Sequence, residues 1–287
     1  MALRLAAPQT WAASVIPALL GGALAREGGW PLLCLAAACV LMQAAANTFN
    51  DYSDFIKGAD TPENCPDPAD AVLVYARPAP EKALALGFAF LAAAALTALP
   101  VVLRAGWRAL AVGAAGAAAL LLYSLGKKPL SYLPLGETVS GFVMGGLIPL
   151  GVYGALTGDF SARTLVPALP VMLGVALIML TNNACDIERD SAAGRRTLPV
   201  LLGRERTRLV YRALLLLWAL LPLPLLIGGG GAAFYLVALL AAAAPVAAQL
   251  RLPLSESVRD AAMGGVTRLN VILGLAYIAG TLFGGAG

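Results

Sequence analysis

Long apolar runs separated by short polar connections dominate the chain. Runs that can cross a bilayer need roughly 17–25 predominantly apolar residues, and the pattern predicts nine: about 10–25, 30–48, 82–103, 106–125, 134–157, 164–184, 209–227, 231–250 and 266–284. Gly and Pro recur inside them, as membrane helices tolerate. The first run follows only Arg4 and lacks a convincing A-x-A cleavage site, so it is read as a retained helix rather than a signal peptide. Two interruptions are long and polar, 49–81 and 185–208. The first follows the second span and the other follows the sixth. Each opens on Asn and Asp, as NTFNDYSD and NNACDIERD. This four-span offset is compatible with two four-helix repeats plus a ninth helix.

Composition agrees with that reading. The chain is 60% hydrophobic and 13% charged, with mean hydropathy +0.80, against about 45–50% and about 25% for soluble domains. It reads as one all-α integral membrane domain over 1–287. Positive charge then orients the bundle. With the N-terminus inside, the inner segments hold 16 of the 20 Lys and Arg residues, and only Arg26, Arg104, Arg108 and Arg163 lie outside. The expected setting is a bacterial-type cytoplasmic membrane, with the N-terminus and both Asp-rich loops cytoplasmic and the lipid bilayer as solvent. This bias explains the +4 net charge, so no nucleic-acid partner is implied.

Histidine is absent, which removes His-based acid–base and triad chemistry and most zinc and haem sites. Cys34, Cys39, Cys65 and Cys185 show no CxxC spacing. The first two read as small buried residues, and the others fall in inner loops where thiols stay reduced.

The polar clusters carry the candidate chemistry. If the second span stays helical past residue 46, Asn47/Asp51 and Asn50/Asp54 are i,i+4 pairs. Asn182, Asp186 and Asp190 likewise share one face at i, i+4 and i+8. Both clusters are expected on one side of the membrane. Oxygen ligands without His or Cys suit a hard cation, and Mg²⁺ commonly takes one or two carboxylates plus substrate phosphates. Such an ion offsets the repulsion of close, partly desolvated carboxylates. Lys57, Arg195 and Arg196 are candidates to grip remaining diphosphate oxygens. Glu63, Asp67, Asp70 and Glu81 lack the register and read as solvated. Asp60 matches no helical register either. The arginines at 204–208 read as topology and headgroup contacts.

These motifs resemble the UbiA-type intramembrane prenyltransferases, whose hallmark is two Asp-rich motifs after the second and sixth helices of a nine-helix bundle. The match is carried by NDYSD (50–54) and DIERD (186–190). Within the family the resemblance is to the menaquinone branch, the 1,4-dihydroxy-2-naphthoate prenyltransferases. It rests on PQTWAASVIPALLG (8–21), NDYSDFIKGAD (50–60), NNACDIERDSAAGRRTL (182–198) and the segment from Tyr123 to Glu137. The chain departs from the pattern with Ala7 before Pro8, Cys185 before Asp186, and ADAVLVYARPAPEKA at 69–83.

The resemblance implies that Asp51, Asp54, Asp186 and Asp190, with Asn50, hold Mg²⁺ on the diphosphate of a polyprenyl diphosphate donor. Asn47, Asn182 and Asn183 would join the substrate site. Lys57, Arg195, Arg196, Lys127 and Lys128 are diphosphate candidates, although topology explains the last two equally well. Tyr123 and Tyr52 offer π faces to an allyl cation. The implied reaction is prenyl transfer to an aromatic acceptor, 1,4-dihydroxy-2-naphthoate, with decarboxylation, in menaquinone biosynthesis. The same chemistry on 4-hydroxybenzoate, haem, a chlorophyll precursor or a glycerol lipid stays open. A cation-coupled transporter fits less well, because its carboxylates belong near the midplane. A metal-dependent phosphatidyltransferase lacks its D-G-x-x-A-R signature here.

Overall fold

The computed structural model describes residues 1–62, 71–76, 79–228 and 230–283, and among those residues every regular element is a helix, with no strand. The expected residues Glu63, Cys65, Asp67 and Asp70 lie outside them. The main helices are α1 (Ala12–Ala25), α2 (Gly29–Ile56), α3 (Pro80–Ala105), α4 (Trp107–Ser124), α5 (Gly136–Thr157), α6 (Leu165–Cys185), α7 (Leu198–Leu220), α8 (Gly231–Ala241 and Ala243–Arg251) and α9 (Arg259–Phe283). Among the described residues seven helices are long and apolar enough to cross a membrane, or eight if the two pieces of α8 form one span. The predicted first span falls short, because α1 has only 14 residues.

Element boundaries move for local reasons. Helix α2 has 28 residues, about 42 Å of helix. It outruns a hydrocarbon core of about 30 Å and carries Asn47 to Asp54 out at one end. The predicted single span 231–250 is bent by 55° between Ala241 and Ala243. Pro245 lacks an N–H, and its ring meets the carbonyl four residues back, at Ala241. Helix α7 begins eleven residues before the predicted 209, with a break at Gly203 (φ 73°). Inside α5 a π-turn spans Val143–Leu147, just before Pro149, which again cannot supply its hydrogen bond.

The largest core lies in the C-terminal half, where Tyr211, Leu215, Trp218, Tyr235, Leu269 and Leu273 are buried between α6, α7, α8 and α9. A smaller core joins Ala18, Leu35, Val101 and Val152 of α1, α2, α3 and α5. Two contacts are unusually close. Phe49 of α2 lies against Gly87 of α3 and meets Phe88 edge-on, with ring centroids 5.0 Å apart. On α5, a Cβ at Gly141 would sit 2.8 Å from the Met172 carbonyl oxygen of α6, and one at Gly145 would overlap the Met172 backbone. This is the small-residue crossing that lets membrane helices approach backbone to backbone. Helix α4 is the opposite case: only Ala109 and Ser124 are buried, and Trp107, Leu110 and Leu122 face outward.

Candidate active site

The continuation of α2 to Ile56 puts Asn47, Asp51 and Asn50, Asp54 one turn apart, as the spacing predicts. The second cluster is built differently. Helix α6 ends at Cys185, Asp186 caps it with φ −102° and ψ 18°, and a new helix runs Ile187–Ala192. The expected single face through Asn182, Asp186 and Asp190 is therefore broken at Asp186. The backbone N–H of Asp186 still donates to the Asn182 carbonyl, and that of Asp190 to the Asp186 carbonyl at 2.8 Å.

Arg195 joins the two clusters. Its guanidinium pairs with Asp54 of α2 and lies 3.6 Å from Asp190. Paired in this way, it is held above the usual arginine range despite its desolvation. Asp54 also accepts from Asn50 Nδ2 at 3.0 Å, and Asp190 from Thr197 Oγ1 at 3.2 Å. Burial pushes Asp190 up to about 6 even beside Arg195. The ring of Tyr132 lies between two cations, with Lys57 Nζ at 4.9 Å and Arg195 at 4.8 Å from its centroid. Lys57 donates to Ser53 Oγ at 2.7 Å, and desolvation lowers its pKa. The Tyr132 carbonyl accepts from the Arg196 backbone N–H, so the two loops are stapled together.

Asp186 is bracketed by cations: Arg189 lies 3.1 Å from Oδ2 and Arg259 3.1 Å from Oδ1. Arg259 also donates to Asn182 Oδ1 at 2.9 Å. Asn183 Nδ2 donates to the buried Glu137 at 2.9 Å. Asp51 contrasts with these. Both its carboxylate oxygens are buried without a hydrogen-bond partner among the described residues. The backbone N–H groups of Val72 and Leu73 point towards them but fall outside bonding geometry.

A cavity of about 450 Å³ opens beneath these groups. Asn47, Asn50, Asp51, Asp54, Asp60, Tyr123, Asn182, Asn183 and Arg195 line its polar end, and α2, α4 and α5 supply the apolar walls. The structure thus brings most of the predicted residues together, Asp60 included, whereas Asp186, Asp190 and Lys57 do not line the cavity itself. Lys127, Lys128 and Arg196 are exposed, and Tyr52 packs with Phe55 against Leu5, Val72 and Leu73 instead of lining the cavity. Arg204, read from sequence as a surface cation, braces the second motif through Glu188 at 2.7 Å and the Ala184 carbonyl. Arg259, Arg189 and Tyr132 were not foreseen. Arg259 and Arg189 looked like topology charges, and nothing local marks Tyr132.

The donor chemistry fits a hard divalent cation on the Asp51–Asp54–Asn50 side, where a buried carboxylate has no donor of its own. No group of three or more Cys, Asp or Glu side chains among the described residues forms a metal cage. An ion there would need oxygens from a ligand such as a diphosphate.

The model of the UbiA prenyltransferase family matches residues 14–284. The 1,4-dihydroxy-2-naphthoate octaprenyltransferase of Bacillus subtilis is 32% identical over 206 residues, covering 70% of this chain and 66% of its own length. Two solved structures share the fold. A UbiA homolog from Aeropyrum pernix K1 superposes with a TM-score of 0.67 at 20% identity, over 94% of this chain and 96% of that one. A UbiA homolog from Archaeoglobus fulgidus bound to DMAPP and Mg²⁺ gives 0.59 at 16% identity, over 97% and 99%.

Proposed function

The chain belongs to the UbiA prenyltransferase family, and on that premise we propose that it transfers a polyprenyl group from an allylic diphosphate to 1,4-dihydroxy-2-naphthoate. The observation that carries this reading is the joining of two carboxylate clusters by Arg195, which together with Asp51 and Asp54 lines the polar end of one cavity. The naphthoate is supported by the likeness to the Bacillus enzyme.

Asp51, Asp54 and Asn50, with Asp186 and Asp190, would hold Mg²⁺, an assignment supported by the Archaeoglobus homolog bound to DMAPP and Mg²⁺. When bound, that ion neutralises charge building on the departing diphosphate. Arg195 and Lys57, held by Tyr132, grip the remaining diphosphate oxygens. The allylic C–O bond breaks with its electron pair on the diphosphate. The ring carbon bearing the carboxylate then attacks the allyl cation, and loss of CO₂ returns the ring to aromaticity. The apolar walls keep water from the cation, and Tyr123 offers its ring face to it.

The membrane arrangement follows from the charge pattern: N-terminus and both Asp-bearing ends cytoplasmic, and nine spans in two four-helix halves plus α9. In this arrangement α1 crosses with help from the turns before Ala12. The whole chain acts as one catalytic domain.

Purified protein in detergent, given labelled polyprenyl diphosphate, Mg²⁺ and a panel of aromatic acceptors, tests the reading. The expected product is prenylated, decarboxylated naphthoate, lost on chelation and restored by Mg²⁺. Absence of product with every acceptor refutes the function. Product with 4-hydroxybenzoate but not the naphthoate refutes only the acceptor.

A further inference from the structure

The PQT segment at 8–10 and the polar residues of α1 have no part in the diphosphate site, yet they line the same cavity. Thr10, Ser14, Gln43 and Asn47 form one hydrogen-bonded ridge between α1 and α2. Two backbone carbonyls fix its polarity. Asn47 Nδ2 donates to the Ala6 carbonyl at 3.0 Å, and Thr10 Oγ1 donates to the Ala7 carbonyl at 2.9 Å. A carbonyl only accepts, so both orientations are set. Thr10 must then accept from Asn47 Nδ2, at 2.8 Å. Asn47 Oδ1 must accept from Gln43 Nε2, at 3.1 Å, which turns Gln43 Oε1 towards the Ser14 hydroxyl at 3.2 Å. The second Gln43 N–H reaches Thr10 Oγ1 at 3.5 Å.

Every donor on the ridge is thereby spent inside the protein. What remains are lone pairs on Asn47 Oδ1, Gln43 Oε1 and Ser14 Oγ. A ligand group that meets this ridge must donate. Carboxylate and diphosphate oxygens only accept, so they would meet lone pair against lone pair and lose their hydration unrewarded. A ring hydroxyl is the complementary group.

Depth agrees. Gln43, Asn47 and Asp51 are successive i,i+4 positions of α2, so the ridge lies about 6 to 12 Å below Asp51 along the helix. That is beneath a diphosphate held at the carboxylates, at the level of the donor's first carbons.

We propose that the Ser14–Gln43–Asn47 ridge seats a ring hydroxyl of the acceptor, selecting hydroxylated aromatics by accepting their O–H. The inference rests on the prenyl-transfer reading and adds an acceptor subsite to it. Accepting that hydrogen bond also pushes electron density into the ring, which favours attack on the cation without proton transfer.

The test uses the full-length protein in detergent with Gln43→Met, which keeps the length but removes the acceptor, and Ser14→Ala. Each variant is expected to raise the acceptor KM about threefold to tenfold, the worth of one hydrogen bond, while the prenyl diphosphate KM stays unchanged. The methyl ether of the acceptor, assayed as a competitor, should bind wild type more weakly and lose nothing further in either variant. Ser14→Ala adds no bulk and carries the test if Gln43→Met fails to fold. An unchanged acceptor KM, a parallel rise of both KM values, or equal losses for the free hydroxyl and the methyl ether overturn the subsite. Failure of wild type to prenylate any hydroxylated aromatic overturns the proposed function as well, and is seen before any variant is made.

Discussion

Arg195→Gln removes a cation that touches both carboxylate clusters. Asp54 and Asp190 are 5% and 2% exposed, so both lose their cation while largely out of water. Asp190, which burial already raises to about 6 beside Arg195, then takes up a proton more readily. Taking one partner from a buried ion pair costs about 3–5 kcal/mol. Asp54 keeps Asn50 and Asp190 keeps Thr197. Hydrogen bonds to charged groups contribute about 1.5–3 kcal/mol, so the loss should fall at the lower end, about 3 kcal/mol. Unfolding in mixed detergent–SDS micelles, followed by tryptophan fluorescence, measures it. Adding Asp54→Asn removes one of the two stranded carboxylates, so the double variant should be more stable than the sum of the single losses predicts, with a coupling of about 0.5–3 kcal/mol. Strictly additive losses, or an Arg195→Gln protein as stable as wild type, would refute the claim that this guanidinium neutralises both clusters.

Asp51→Asn should abolish prenyl transfer, by about a hundredfold or more, without lowering stability in the same micelles, because it trades an unpartnered buried carboxylate for a neutral amide; a clear stability loss would show that the charge is structurally satisfied. Gly145→Leu drives a side chain into the Met172 backbone and should cost about 1–3 kcal/mol or more, whereas Gly113→Ala, with nothing within 4 Å, should be neutral; equal effects would contradict the tight α5–α6 crossing. Lys127→Ala and Lys128→Ala, both on exposed residues, should leave turnover within about twofold, and a larger loss in steady-state assays would return them to the diphosphate site.

What the sequence made legible was local. The i,i+4 register of Asn47/Asp51 and Asn50/Asp54 needed only the continuation of one helix, and α2 continues to Ile56. The two Asp motifs could be paired because charge sidedness puts both at one end. Contacts between distant segments were not legible. Arg259 reaches Asp186 across 73 residues, and no spacing rule distinguishes it from an arginine that merely fixes topology. The break at Asp186 depends on how the 187–192 helix docks, and the 55° bend in α8 needed Pro245 weighed against an apolar run that otherwise reads as continuous. The acceptor ridge was half visible: PQT and Asn47 stood out, but its polarity is set by the Ala6 and Ala7 carbonyls.

The walls of the cavity differ in how readily they yield. Gly141 and Gly145 lock α5 to α6 through the Met172 backbone, so moving α5 breaks packing that nothing replaces. Helix α4 lines the same cavity but buries only Ala109 and Ser124. Shifting it exchanges apolar protein contacts for apolar lipid contacts at little net cost. Under the proposed function, a tail longer than the cavity can hold would be accommodated on the α4 side, past Gly113. One fixed chemical end would then serve donors of several lengths, and the product would leave sideways past α4.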